Sequence, residues 1–157
     1  MRFPSRSDAR LVKISAILFS PDDAPSPAVL TEWLGKQAHT VLTISDTDEL
    51  MAISLRGRPR VVAFDARSNP EAVYEACRRL KHDSYTGVIP TVILCDDGEE
   101  CLAAAFNAGA DEVVLESLAL PEKIIRLNAL LRRSDRDLVV HPSTRRPVGD
   151  PPDPLGA

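Results

Sequence analysis

The chain has 157 residues, enough for one domain with a substantial core and little room for a second. Hydrophobic residues make up 44% and charged residues 27%, and the net charge is −4, so the composition is that of a globular protein without the basic surface typical of nucleic-acid binding. Lys13 and Ser15 interrupt the first apolar run, which excludes the pattern of a secretion signal or a membrane span. We therefore expect a cytoplasmic protein.

Five stretches rich in Val, Ile, Leu and Thr are predicted to be strands, in chain order at about 11–19, 40–44, 60–64, 91–95 and 112–115. Residues 61–64 and 91–95 are almost entirely apolar and short, as expected for strands that are buried on both faces of a parallel sheet.

Helices are predicted after each of the five strands. In the first helix, Leu30, Trp33 and Leu34 recur at i, i+3 and i+4, and in the third, Asn69 and Pro70 supply an N-cap and a proline at the first helical position. The predicted helices lie at about 27–37, 47–55, 70–82, 99–108 and 119–133.

Strands that alternate with helices predict a parallel sheet covered by helices on both faces. Right-handed crossovers favour a doubly wound, flavodoxin-like α/β fold with strand order 2-1-3-4-5. We expect this domain to cover residues 10–134. The proline-rich residues 135–157 are predicted to be a linker or a disordered tail. In such sheets ligands bind beyond the carboxyl ends of the strands, which is where Asp65 follows the third strand.

The three cysteines, Cys77, Cys95 and Cys101, contain no C-x-x-C pair, so neither a metal cluster nor a disulfide framework is predicted. Buried or unreactive thiols in a reducing cytosol are expected instead. A redox role for Cys95 is disfavoured, because the neighbouring acids oppose formation of a thiolate.

Three stretches resemble the receiver domain of bacterial response regulators, and the resemblance extends over about residues 12–133. P-R-V-V-A-F-D at 59–65 is similar to the strand that ends in the phosphate-accepting aspartate, and I-P-T-V-I-L-C at 89–95 is similar to the fourth strand. A-A-A-F-N-A-G-A-D-E-V-V at 103–114 is similar to the passage from the fourth helix into the fifth strand.

The resemblance implies a phosphorylation site in which two acids after the first strand, a Thr or Ser after the fourth and a Lys after the fifth surround the acceptor aspartate. Asp65 falls at the acceptor position, but the other positions hold Ser20, Pro21, Cys95 and Glu116. A thiol is a weak hydrogen-bond donor, and Glu116 reverses the charge that would face a phosphoryl group. The sequence thus indicates a degenerate receiver, a non-catalytic module that works through protein–protein interaction independently of phosphorylation.

The alternative is a phospho-accepting receiver of a two-component system. Asp22 and Asp23 follow the degenerate acid positions directly, and a loop shift of two residues could return them to the pocket beside Asp65. These three carboxylates would then hold Mg²⁺. Under the main interpretation no cofactor or metal is expected.

Receivers commonly use the face of the fourth helix, fifth strand and fifth helix for docking, so the interface candidates implied here are Phe106, Val113, Arg126 and Arg133. The expected partners are other signalling proteins, an attached output domain or a second copy of the chain. Residues 139–149 weakly resemble the segment that leads into GGDEF (diguanylate cyclase) domains, which leaves open whether the chain is part of a longer protein.

Overall fold

The computed structural model of the chain describes residues 16–22, 25–37 and 40–144, with side chains described as far as Arg133. Five strands and five helices alternate in this part of the chain, as predicted. The strands are β1 (Ala16–Phe19), β2 (Val41–Ile44), β3 (Val61–Asp65), β4 (Thr91–Cys95) and β5 (Glu112–Leu115). The helices are α1 (Ala28–Gln37), α2 (Thr47–Gly57), α3 (Pro70–His82), α4 (Glu99–Asn107) and α5 (Leu120–Thr144).

All five strands pair in parallel to form one sheet in the order β2-β1-β3-β4-β5. This confirms the predicted flavodoxin-like topology. The register places Phe19 of β1 beside Phe64 of β3, and Cys95 of β4 beside Leu115 of β5. The carboxyl ends of β1, β3, β4 and β5 therefore meet along one edge, where Asp65 is the last residue of β3.

Alternation along the strands divides the core into two apolar layers, one on each face of the sheet. One layer packs Ile17, Phe64 and Ile93 against buried residues of α2, α3 and α4. The other packs Leu18 and Leu94 against α1 and α5. Doubly covered strands must be apolar on both faces, which explains the unbroken apolar runs of β3 and β4.

Trp33 joins α1 to α5 in the second layer. Its side chain is 2% exposed, and its indole Nε1 donates a hydrogen bond to Oδ1 of Asn128 at 2.9 Å. A buried indole needs such a partner because its N–H group would otherwise be desolvated without compensation.

The Gly-Ala-Asp stretch that precedes β5 holds the amino-terminal edge of the sheet together. Asp111 accepts hydrogen bonds from Nζ of Lys81 at 2.8 Å and from the backbone N–H of Thr91 at 2.9 Å, so one carboxylate connects α3, β4 and β5. Gly109 has φ +99°, and a Cβ atom there would lie 3.1 Å from Cβ of Lys81. The backbone conformation requires glycine, and the close approach of Lys81 leaves little room for a side chain.

The end of α5 differs from the prediction. The helix was predicted to end at about residue 133 but continues to Thr144. Apolar periodicity reports contact with a core, whereas a helix can continue beyond that contact where no Pro or Gly interrupts it, and residues 122–141 contain neither. Pro142 lies within the last turn of the helix. Residues 11–15 of the predicted first strand and residues 145–157 of the predicted tail lie outside the described residues, so the domain limits remain a prediction. Across the described residues, no helix combines the length and apolar character that crossing a membrane requires.

Candidate functional site at the carboxyl ends of the strands

Asp65 is buried at the end of β3, with 1% of its surface exposed, and its carboxylate is held by Arg67. Nε of Arg67 lies 2.9 Å from Oδ1 and Nη2 lies 3.1 Å from Oδ2, so the guanidinium binds both carboxylate oxygens. The backbone N–H of Arg67 also donates to Oδ1 at 3.1 Å. A planar, two-point pair of this kind is the strongest partner that a side chain can offer a buried carboxylate.

Arg67 also connects Asp65 to the end of β5. Its Nη1 lies 3.6 Å from Oε2 of Glu116, and its Nη2 donates to the carbonyl of Pro25 at 3.2 Å. Nζ of Lys123, in the first turn of α5, lies 3.9 Å from Oε1 of Glu116. Two acids and two bases therefore alternate across the site, and their formal charges cancel.

The pKa of Arg67 is raised above its ordinary value, chiefly by the side-chain hydrogen bond to Asp65. The negative charges of Asp65, Glu116 and Asp96 raise it further, and partial burial of the guanidinium opposes them. Arg67 is therefore a permanent cation within the site.

Sequence reasoning missed Arg67, because the five receiver positions include no basic residue next to the acceptor. The available signal was its spacing: Arg67 follows Asp65 by two residues, at the start of the turn after β3. In a turn, a long basic side chain two residues beyond an acid can fold back onto it, as the three hydrogen bonds above show.

The loop after β1 offers little to a metal ion. Ser20 is buried and its hydroxyl donates to the backbone carbonyl of Asp22 at 3.3 Å, while Pro21 has no polar side-chain atom. The Asp22 side chain is exposed, and Asp23 lies outside the described residues. Among the side chains that are described, no three His, Cys, Asp or Glu residues cluster as metal ligands. With both oxygens of Asp65 bound to Arg67, the described residues as arranged do not fit Mg²⁺.

Cys95 and Cys101 are joined by a disulfide, with their Cα atoms 6.1 Å apart. The expectation of unpaired thiols was therefore wrong for these two. The six-residue spacing carries no sequence signature, and the pair forms because the turn at Gly98 starts α4 next to the end of β4. Cys77 is free and buried, and burial raises its pKa to about 12.

Two hydrogen bonds join the end of β5 to the end of β4 and the loop after it. The N–H of Glu116 donates to the carbonyl of Cys95 at 2.9 Å, and the N–H of Ser117 donates to Oδ1 of Asp97 at 2.8 Å. Glu116 thus stands at the same edge as Asp65, as predicted, but its carboxylate faces the cations Arg67 and Lys123. Next to Asp65 and Arg67 lies a pocket of about 310 Å³, which is also lined by Ser68 and by residues 25–28.

The interface candidates have different surroundings. Phe106 is 50% exposed, whereas Val113 is 2% exposed and belongs to the core, which leaves it no surface for a partner. Arg126 and Arg133 are partly exposed and both pair with Glu112, at 3.5 and 3.3 Å. These arginines are therefore engaged with β5 within the chain.

No protein-family model matches the sequence. The chain is similar to the phosphate regulon transcriptional regulatory protein PhoB of Pseudomonas aeruginosa, with 29% identity over 119 residues, which are 75% of this chain and 52% of that protein. It is 26% identical over 121 residues to the transcriptional regulatory protein ResD of Bacillus subtilis, covering 76% of this chain and 49% of that one. The chain thus spans about half the length of these curated relatives.

Among solved structures, the receiver domain of a signal transduction histidine kinase from Syntrophus aciditrophicus superposes with a TM-score of 0.61 at 20% identity, covering 78% of this chain and 93% of that one. A CheY-like response regulator receiver domain protein from Methanospirillum hungatei superposes with a TM-score of 0.59 at 16% identity, covering 80% and 99%. The described part of the chain therefore has the fold of a response-regulator receiver domain, and its sequence is similar to those of transcriptional regulators.

Proposed function

We propose that the chain is a receiver-like signalling module that binds protein partners and does not depend on phosphorylation of Asp65. The observation that carries this proposal is the two-point pairing of Arg67 with Asp65. A phosphoryl donor needs a free carboxylate oxygen as nucleophile, and here both oxygens accept hydrogen bonds from a cation that belongs to the chain itself.

The charge around Asp65 supports the same conclusion. An acyl phosphate would add about two negative charges, which a receiver site must offset with a metal ion and an ammonium group. Here the lysine position is Glu116, and the nearby cations Arg67 and Lys123 are already paired with acids. Phosphorylation would therefore place new negative charge beside Glu116 and disrupt existing ion pairs.

The kind of partner is suggested by the relatives, which are named as transcriptional regulators and are about twice as long as the part that this chain matches. We propose that the domain acts by contact with an output region or with another signalling protein. Under this proposal it catalyses no reaction and operates in the cytoplasm.

Beryllofluoride, which mimics a phosphoryl group on a carboxylate, tests the proposal. The ¹⁵N-labelled protein is titrated with beryllofluoride and Mg²⁺ while the amide signals of Asp65, Cys95 and Glu116 are followed, with fluoride and Mg²⁺ alone as the control. We expect no saturable shift at millimolar ligand. Saturable shifts in the natural protein that disappear in Asp65→Asn would overturn the proposal.

A restored variant shows which features block the site. Arg67→Met combined with Glu116→Lys and Cys95→Thr removes the intrinsic cation and supplies the receiver-type groups after the fourth and fifth strands. We expect this variant to gain beryllofluoride binding, and the two-site variant that retains Arg67 to gain less.

The second candidate function is a phospho-accepting receiver of a two-component system. It is favoured by the place of Asp65 at the carboxyl end of β3 and by the similarity to transcriptional regulators. Incubation with acetyl phosphate and Mg²⁺, followed by intact-mass measurement, distinguishes the two. Under our proposal the mass of the natural chain does not change. Under the alternative the natural chain gains the mass of one phosphoryl group, and the Asp65→Asn variant does not.

A further inference from the structure

We propose that Cys95 and Cys101 are a reversible dithiol–disulfide pair whose oxidation holds α4 against the sheet, with a small-molecule or protein disulfide as the oxidant. This inference rests on the proposed function, because it supplies a covalent signal at the same edge of the sheet where phosphorylation is not expected. Intracellular disulfides are commonly transient and redox-sensing rather than structural.

The two sulfurs connect the buried end of β4 to the first turn of α4. Cys95 is the last residue of β4 and is completely buried, whereas Cys101 lies in the first turn of α4 and is partly exposed. Their Cα separation of 6.1 Å falls within the range that a disulfide spans without movement of the backbone. Closing or opening the bond therefore requires no rearrangement of β4.

α4 fully buries little of its own surface. Ala105 is its one fully buried residue, whereas α3 buries five. Gly98 at its N-cap has φ +129° and provides no side-chain hydrogen bond to the first turn. A helix with little buried surface and an open first turn has low local stability, so one covalent link at that turn has a large effect on it.

The side chain of Tyr74 in α3 contacts the cysteine pair. Its hydroxyl lies 3.2 Å from Sγ of Cys101, and burial raises the pKa of this phenol, so the hydroxyl stays protonated at neutral pH. A hydrogen-bond donor beside Cys101 favours a developing thiolate there when the bond is cleaved. Cys101 is thus the sulfur that an incoming disulfide reaches and the one best supported as the attacking thiolate.

The reaction balances with a disulfide R–S–S–R as the two-electron acceptor. The Cys101 thiolate attacks one sulfur of the reagent, which forms a mixed disulfide and releases RS⁻. The Cys95 thiolate then attacks Sγ of Cys101, forms the internal bond and releases a second RS⁻. The two protons of the cysteine thiols leave with the two RSH products, and reduction by excess RSH reverses both steps.

Charge around the pair predicts which reagents react fastest. The loop and first turn between the two cysteines contain four acids, Asp96, Asp97, Glu99 and Glu100. We expect the cationic disulfide cystamine to oxidise the reduced pair faster than neutral hydroxyethyl disulfide, and both to react faster than anionic glutathione disulfide, with the differences falling as salt is added.

The test begins with the folded, reduced protein in cystamine–cysteamine buffers of increasing oxidising strength. After quenching, alkylation under denaturing conditions counts free thiols by mass. We expect a change from three alkylated thiols to one, Cys77, and the same transition in reverse on reduction. Three free thiols in every buffer, or a bond that forms only when the chain is unfolded in urea, would overturn the proposal.

Hydrogen exchange then measures the effect on α4. We expect amides of α4 to exchange about tenfold or more faster after reduction, with α3 unchanged. In Cys101→Ser the amides of α4 should exchange fast under both oxidising and reducing conditions. In Cys77→Ser, which leaves the disulfide pair intact, reduction should speed exchange in α4 as it does in the natural chain. If the amides of α4 exchange at the same rate in the oxidised and the reduced natural chain, the disulfide does not stabilise α4 and the proposal fails. This comparison needs no variant.

The two proposals fail separately. Beryllofluoride binding by a chain whose α4 still responds to reduction would overturn phosphorylation independence and leave the redox pair standing. Absence of both beryllofluoride binding and a redox response would leave the proposed function and remove this inference.

Discussion

The ion pair between Arg67 and Asp65 makes a quantitative prediction about stability. Arg67→Met preserves much of the length of the side chain but removes its charge and both guanidinium hydrogen bonds. Asp65, 1% exposed, keeps the backbone N–H of residue 67 and loses its counter-charge. Removing one partner of a buried pair costs about 3–5 kcal/mol.

Solvent reduces that cost here, because 28% of the Arg67 side chain is exposed and water can approach the vacated position. We therefore expect Arg67→Met to lower the free energy of unfolding by about 2–3 kcal/mol. Arg79→Met is the matched control: the Arg79–Asp48 pair is short, at 2.7 Å, but its side chains are 52% and 80% exposed. An exposed pair contributes about 0–1 kcal/mol.

Urea unfolding followed by fluorescence of Trp33 measures both losses, since this is the one tryptophan of the chain and it is buried between α1 and α5. Combining Arg67→Met with Asp65→Asn should recover part of the lost stability, because no unpaired charge is then buried. A loss from Arg67→Met no larger than that from Arg79→Met would refute the reasoning that this pair stabilises a desolvated carboxylate.

Three further predictions concern the thiols and one helix end. Folding raises the pKa of Cys77 from 9.0 to about 12, so as the pH rises the unfolded chain loses this thiol proton before the folded chain does. The contribution of Cys77 to the free energy of unfolding is therefore fully present below pH 9 and decreases above it, by about 2 kcal/mol at a pH of about 10.5. Urea unfolding of Cys77→Ala across this range should show a smaller fall, and parallel pH profiles would contradict the assignment. Cys101→Ser under oxidising conditions should lower stability by about 2 kcal/mol, the loop-closure value for so short a loop, and should have less effect in excess reductant. Arg58 ends α2 with φ +48°, so Arg58→Gly should raise the thermal midpoint by relieving about 1 kcal/mol of left-handed strain, and an unchanged or lower midpoint would count against it.

Much of the site was predictable because it depends on where strands end. The apolar runs of β3 and β4 placed Asp65 and Cys95 at the ends of neighbouring strands, and the resemblance at residues 103–114 placed Glu116 at the same edge. Arg67 was not predicted, because its role comes from the direction in which a long side chain folds in a turn. The Cys95–Cys101 bond was not predicted for the same reason, since it depends on the path of the turn between them.

The two apolar layers follow from the period of apolar residues in the sequence, and the chemistry available at the edge of the sheet follows from the side chains that come after each strand. The strand order follows from strands and helices that alternate and are joined by right-handed crossovers. Which charged side chains meet depends on the assembled fold. The assembled fold pairs Asp65 with Arg67, buries Val113, and continues α5 beyond the last periodic apolar residue. The physical reason is that periodicity encodes burial, whereas side-chain pairing and helix length depend on distances that become fixed only when the sheet and its loops are assembled.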